Sequence, residues 1–193
     1  MKKLSKIIAS VVLVFGMSNV VIAQDNSDTY EASHAVEISI PTIALVDVEG
    51  AGGEIESISL APTFTGMEAG EAADFSTATN SSLWLNYTSI VAADQTRNIT
   101  AQLNSDLPAG LNLRLEASSA SNTGNGTKGS TVGQVILSST AAELITGIGS
   151  AYTGNGENNG HQLTYSLDAD EDSYSTLVSN SYDLIVTFTI TGE

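Results

Sequence analysis

The sequence predicts an all-β protein: a two-layer antiparallel β-sandwich with one short helical turn. Three observations predict it. Apolar residues recur at every second position over many short stretches, the period that sends alternate side chains to opposite faces of a strand. Clusters of Gly, Asn, Ser and Pro separate these stretches. No stretch carries the 3.6-residue apolar repeat of a long amphipathic helix. About nine strands in a chain of this length suit a sandwich connected in the Ig-like or Greek-key manner.

The first residues have export chemistry rather than sandwich chemistry. Lys2, Lys3 and Lys6 form a basic start, Ile7 to Phe15 an apolar run, and Val21-Ile-Ala23 a small-residue cleavage site. That is the pattern of a secretory signal peptide. Gly16, Ser18 and Asn19 interrupt the apolar run, which is short for a bilayer-spanning helix. Residues 1–23 are therefore expected to be removed, leaving a secreted, extracellular chain at a bacterial cell surface with no membrane span. The polar, acidic residues 24–33 are expected to form a flexible arm, and 34–193 a single sandwich domain. The chain has no cysteine, so disulfides cannot hold the secreted domain together and its core must.

The strands follow in order. His34 to Ile40 alternates, with Val36, Ile38 and Ile40 on one side. Pro41 cannot donate to a ladder, and Thr42 to Val48 resumes as a second run. Glu49 to Gly53 is a turn, Ile55 to Leu60 a short strand, and Ala61 to Ser82 a long surface connection. Leu83 to Thr88, Arg97 to Asn104 and Leu111 to Ala117 alternate in turn. Ser118 to Gly133 reads as a Ser/Gly/Asn/Thr-rich loop and Val135 to Leu137 as a short strand. Thr140 and Glu143 have the spacing of a helix capping box, which predicts the one helical turn, over Thr140 to Ile148. Thr153-Gly-Asn-Gly156 repeats Thr123-Gly-Asn-Gly126, the same turn chemistry used twice. Gln162 to Leu167 is a strand and Asp168 to Asp172 an acidic loop. The last strand, Ser181 to Glu193, sets Tyr182, Leu184, Val186, Phe188 and Ile190 on one face, with Ile185 the exception between them.

Charge and chemistry narrow the function. Beyond the signal peptide only Arg97, Arg114 and Lys128 stand against 22 acidic residues. That balance excludes a nucleic-acid partner. No Gly-x-Ser-x-Gly elbow surrounds any serine, and the two histidines, His34 and His161, stand alone. Acidic residues scattered through loops are normally solvated, and Trp84 is the single tryptophan. No catalytic residue is expected, and the chain reads as a non-enzyme. One constellation suits a ligand. Asp168, Asp170 and Asp172 set three carboxylates at alternate positions, as calcium loops do. Ser173 stands where such loops place glycine, and the competing reading is an acidic turn that guards a sheet edge. Apart from calcium, no cofactor is expected.

The strand beginning Ser181-Tyr182-Asp183 and continuing Val186-Thr187-Phe188-Thr189 is similar to the last strand of pilin-like subunits of bacterial surface fibres, the chaperone–usher and spore-coat-U type. The resemblance covers that strand well and the length and strand spacing loosely. The family's usual disulfide is missing, and Gly192-Glu193 replaces an aromatic ending. The resemblance implies an incomplete Ig-like sandwich polymerised by strand addition. The expected function is thus a structural or adhesive subunit of an extracellular filament (a pilus or fimbria) or surface matrix. Its partners would be itself or other fibre subunits, and Val36, Ile38 and Ile40 would be its donated strand. The alternatives are a first strand that pairs within its own chain, and a monomeric secreted module that binds carbohydrate or calcium.

Overall fold

The computed structural model describes residues 33–53 and 57–192. The predicted signal peptide, nearly all of the arm, and the start of the strand predicted at Ile55 to Leu60 lie outside them. The body begins at Ile40, and the described residues before it, 33–39, belong to a separate unit.

Nine strands build the body: β1 (Ile43–Glu49), β2 (Thr79–Ile90), β3 (Arg97–Leu103), β4 (Leu111–Ala117), β5 (Asn125–Thr131), β6 (Val135–Ile136), β7 (Ala142–Tyr152), β8 (His161–Ala169) and β9 (Val186–Gly192). Every pairing is antiparallel. The ladder follows the order β6-β4-β8-β2-β7-β3-β9, with β1 added to β2 and β5 to β7. The β2–β7 junction is narrow: Thr88 and Ser89 meet Tyr152 and Ala151. There the path turns from one layer to the other, which makes the two-layer sandwich.

Alternation decides which side chains fill the space between the layers. Leu83, Leu85 and Tyr87 of β2, Ile99, Ala101 and Leu103 of β3, and Leu113, Leu115 and Ala117 of β4 are all buried. Leu163 and Tyr165 of β8 meet them, and Leu144, Ile145 and Ile148 come from β7. Each full burial of a leucine or isoleucine contributes about 1.5–3 kcal/mol. Val46, Val48, Val186, Phe188 and Ile190 pack on this core while half-exposed.

The structure corrects four expectations about elements. The helical turn predicted over Thr140 to Ile148 is instead most of β7, and β3 and β5 both pair with it. Isolated capping signals lose to a strand whose backbone is satisfied from both sides. Glu143 accepts a hydrogen bond from Asn98 Nδ2 at 3.0 Å rather than closing a capping box. The helical content is instead a 3-10 turn at Ala51–Gly53 and a 3-10 helix at Glu171–Thr176. The loop predicted at Ser118 to Gly133 contains β5, a strand of polar and glycine residues held by its ladder to β7. His34 to Ile40 forms no strand. Alternation gives a segment two faces, but a strand exists only where a neighbour takes its backbone hydrogen bonds. The same reason covers the strand predicted at Ile55 to Leu60: its described part, Ser57 to Leu60, joins no ladder.

Candidate functional site

An apolar groove opens between β1 and β9, with a volume of about 470 Å³. Val46 and Val48 of β1 line one side, and Leu184, Val186 and Phe188, on and just before β9, line the other. Leu83 of β2 lies within it. The two flanking strands are each half-satisfied. Among the described residues β1 pairs only with β2, and β9 only with β3. Register sets the lining. Val46 and Val48 stand opposite the core-facing Tyr87 and Leu85, and so face the same interior. Phe188 stands opposite Ala101 and Val186 opposite Leu103. Between them Thr187 and Thr189 are exposed. Asn104 extends the β3–β9 ladder by one residue. Its amide donates to the Ile185 carbonyl at 3.0 Å, and its Oδ1 accepts from the Ile185 amide at 2.9 Å.

The residues expected to form a donated strand are apolar and open to solvent. Val36 is 69% exposed, Ile38 81% and Ile40 74%. Three large aliphatic side chains in one seven-residue stretch, all this exposed, form a surface that water disfavours.

The acidic loop is used for structure. Asp168 lies on β8 and forms an ion pair with Arg114 at 2.6 Å. Asp170 caps the 3-10 helix, accepting from the Asp172 amide at 3.1 Å and the Ser173 hydroxyl at 2.9 Å. The three carboxylates expected to hold calcium therefore do not converge. Among the described residues no group of three or more His, Asp and Glu side chains could hold a metal ion.

The histidines separate in the same way. His34 is exposed. His161 is 1% exposed, with Nδ1 2.8 Å from the Ser118 carbonyl and Nε2 3.2 Å from the Tyr87 hydroxyl. Burial pushes its pKa below the usual imidazole range, and burial likewise raises that of the Tyr87 hydroxyl. The pair stacks at 5.7 Å between ring centroids. Trp84 is half-buried. Among the described residues no helix is long and apolar enough to cross a membrane.

Sequence reading took Val46, Val48, Val186 and Phe188 as ordinary strand positions. Their alternation was legible. That the two strands bearing them each have one partner among the described residues was not, because pairing is a property of the whole path. Comparison of the chain with family models, with curated proteins and with solved structures found no match.

Proposed function

We propose that this chain is an exported structural or adhesive subunit that assembles with copies of itself. The segment Val36–Ile40 of one copy fills the groove between β1 and β9 of the next. The observation that carries this reading is the coexistence in one chain of two complementary incomplete features. One is a groove between strands paired on one side only; the other is an exposed alternating apolar segment.

An inserted segment gains main-chain hydrogen bonds from a strand edge and burial for its alternate side chains. Val36, Ile38 and Ile40 are spaced two apart, so all three point to the same side of an extended segment. Burying three such side chains contributes roughly 5–9 kcal/mol before the cost of association. Insertion also covers free edges that would otherwise pair indiscriminately. Export rests on the signal-peptide pattern of residues 1–23, and the cell-surface location rests on export taken together with assembly into filaments.

The absence of cysteine makes the test clean. The double variant Ile38→Cys, Phe188→Cys is oxidised and run on a non-reducing gel, with each single variant beside it. A ladder of dimers, trimers and higher species, seen only with both cysteines, is the expected result. A monomer-sized band with an internal disulfide would place the segment in its own groove. Free thiols throughout would place it elsewhere. Either result overturns the reading. Negative-stain microscopy of the unsubstituted protein is expected to show filaments, and Ile38→Asp to remove them.

A further inference from the structure

The groove between β1 and β9 has two edges, and the directions of their main-chain groups differ in what they leave open. In an antiparallel pair, residues directly opposite each other either exchange both main-chain bonds or neither. On the β9 side, Val186 stands opposite Leu103, whose amide donates to the Ser138 carbonyl at 2.7 Å, away from β9. Val186 therefore turns its own amide and carbonyl toward the groove, and Phe188 and Ile190 follow at every second residue. Ile185 turns the other way, to Asn104. Among the described residues β9 pairs with β3 alone, so this edge offers three residues with open main-chain groups.

The β1 edge is different. Val46 stands opposite Tyr87, whose amide donates to Thr153 Oγ1 at 3.0 Å and whose carbonyl accepts from the Thr153 amide at 3.1 Å. Val46 and, two residues on, Val48 therefore turn their main-chain groups toward the groove. One of these two amides is already used. Val48 donates to Oδ1 of Asp47 at 2.8 Å. That bond sets a carboxylate where the carbonyl of an incoming strand has to go. Charged side chains on a strand edge are a known way to stop it pairing.

We propose that Asp47 is a specificity-determining residue of assembly: it closes the β1 edge, so that the incoming segment takes its main-chain hydrogen bonds from β9 alone. This role rests on the self-assembly proposed above and assigns the edge that it uses. The segment is suited to one-sided pairing. Val36, Ile38 and Ile40, turned inward and laid antiparallel to β9, face Val186, Phe188 and Ile190, and their amides and carbonyls then point at β9. Ala35, Glu37, Ser39 and Pro41 point their main-chain groups at β1, and Pro41 has no N–H to give there. The outer face adds a charge effect. Glu37 lies on that face, as Asp47 does, and like charges on neighbouring strands repel. On the β9 side the outward residues are Thr187 and Thr189, which are uncharged and exposed.

The test is hydrogen-exchange mass spectrometry on the mature chain, assembled, against the Ile38→Asp variant as the unassembled reference. Peptides covering Val186–Gly192 are expected to exchange about tenfold or more slower in the assembled chain, and peptides covering Ile43–Glu49 at an unchanged rate. Asp47→Ala is then assembled and measured in the same way. It frees the Val48 amide, and the slowing is expected to spread to Ile43–Glu49. Asp47→Asn keeps an Oδ1 acceptor in place, and the β1 rate is expected to stay unchanged. Slowing of β1 as large as that of β9 in the unsubstituted assembly overturns the role of Asp47 and leaves self-assembly standing. So does an Asp47→Ala assembly in which β1 still exchanges at the reference rate. A chain that forms no assemblies, with no ladder from Ile38→Cys, Phe188→Cys, overturns both.

Discussion

At the scale of single residues, His161 carries the clearest pH consequence. Its folded-state pKa lies below the ordinary imidazole value of 6.5 because burial penalises the charged ring. Below pH 6.5 the unfolded chain binds a proton that the folded chain refuses, so stability is full above that pH and falls as pH drops toward the depressed value. Thermal melts from pH 8 to pH 5 should show the midpoint declining below about pH 6.5. The His161→Gln variant, less stable throughout, should show a flatter profile in that window. Asp106 acts further down. Hydrogen bonds from the Ser139 amide and hydroxyl hold its pKa below 3.8, so its contribution is lost only as pH falls below that value. Gly124 makes a different demand. Its φ is 80°, and an added Cβ would overlap the Tyr152 carbonyl. Gly124→Ala should destabilise by about 1–3 kcal/mol, measured by urea unfolding. His161 was half-legible: the period of Leu163 and Tyr165, run back one step, places it inward. No sequence pattern names its hydrogen-bond partners.

At the scale of elements, β4 matched its predicted bounds because Leu113, Leu115 and Ala117 face the core and the residues between them do not. The same period found β2, β3 and β8. It missed β5, which carries Asn, Gly, Thr, Lys and Ser and no apolar residue. Lys128 closes the loop ahead of it, with Nζ donating to the Ser121 carbonyl at 2.7 Å and the Thr123 carbonyl at 2.6 Å. The repeated Thr-Gly-Asn-Gly turns lie side by side, with Asn125 paired to Tyr152. The sequence shows the likeness of the two turns but not their contact. Within the acidic loop, Asp170→Ala removes a helix cap and should cost about 0.5–2 kcal/mol in chemical denaturation. Calcium should not change that cost, since the neighbouring carboxylates do not converge. Arg114→Ala, which breaks a partly exposed ion pair, should cost less than about 1 kcal/mol.

At the scale of the molecule, an all-β sandwich was legible because alternation and turn chemistry recur along the whole chain. The groove was not, because it arises where the first and last strands of the body each have one partner among the described residues. Its counterpart, Val36 to Ile40, was legible as alternation but not as an exposed surface. Self-assembly through these two features predicts that Ile38→Asp shifts the protein to a monomer in size-exclusion chromatography, with an unfolding midpoint lower than that of the assembled form. A folding stability unchanged between the two states would indicate that the groove gains nothing from being filled.

The pairing of β1 also sets how the body answers a pull. Ile43 to Glu49 lies along Ile90 to Trp84 through seven consecutive antiparallel pairs, with rungs perpendicular to the strands. Tension entering through Pro41 along the axis of β1 strains every rung together, whereas a sideways pull breaks them one at a time from Ile43. The same ladder is therefore a shear clamp in one direction and a zipper in the other. A tethered chain stretched along β1 should yield at much higher force than one peeled across it.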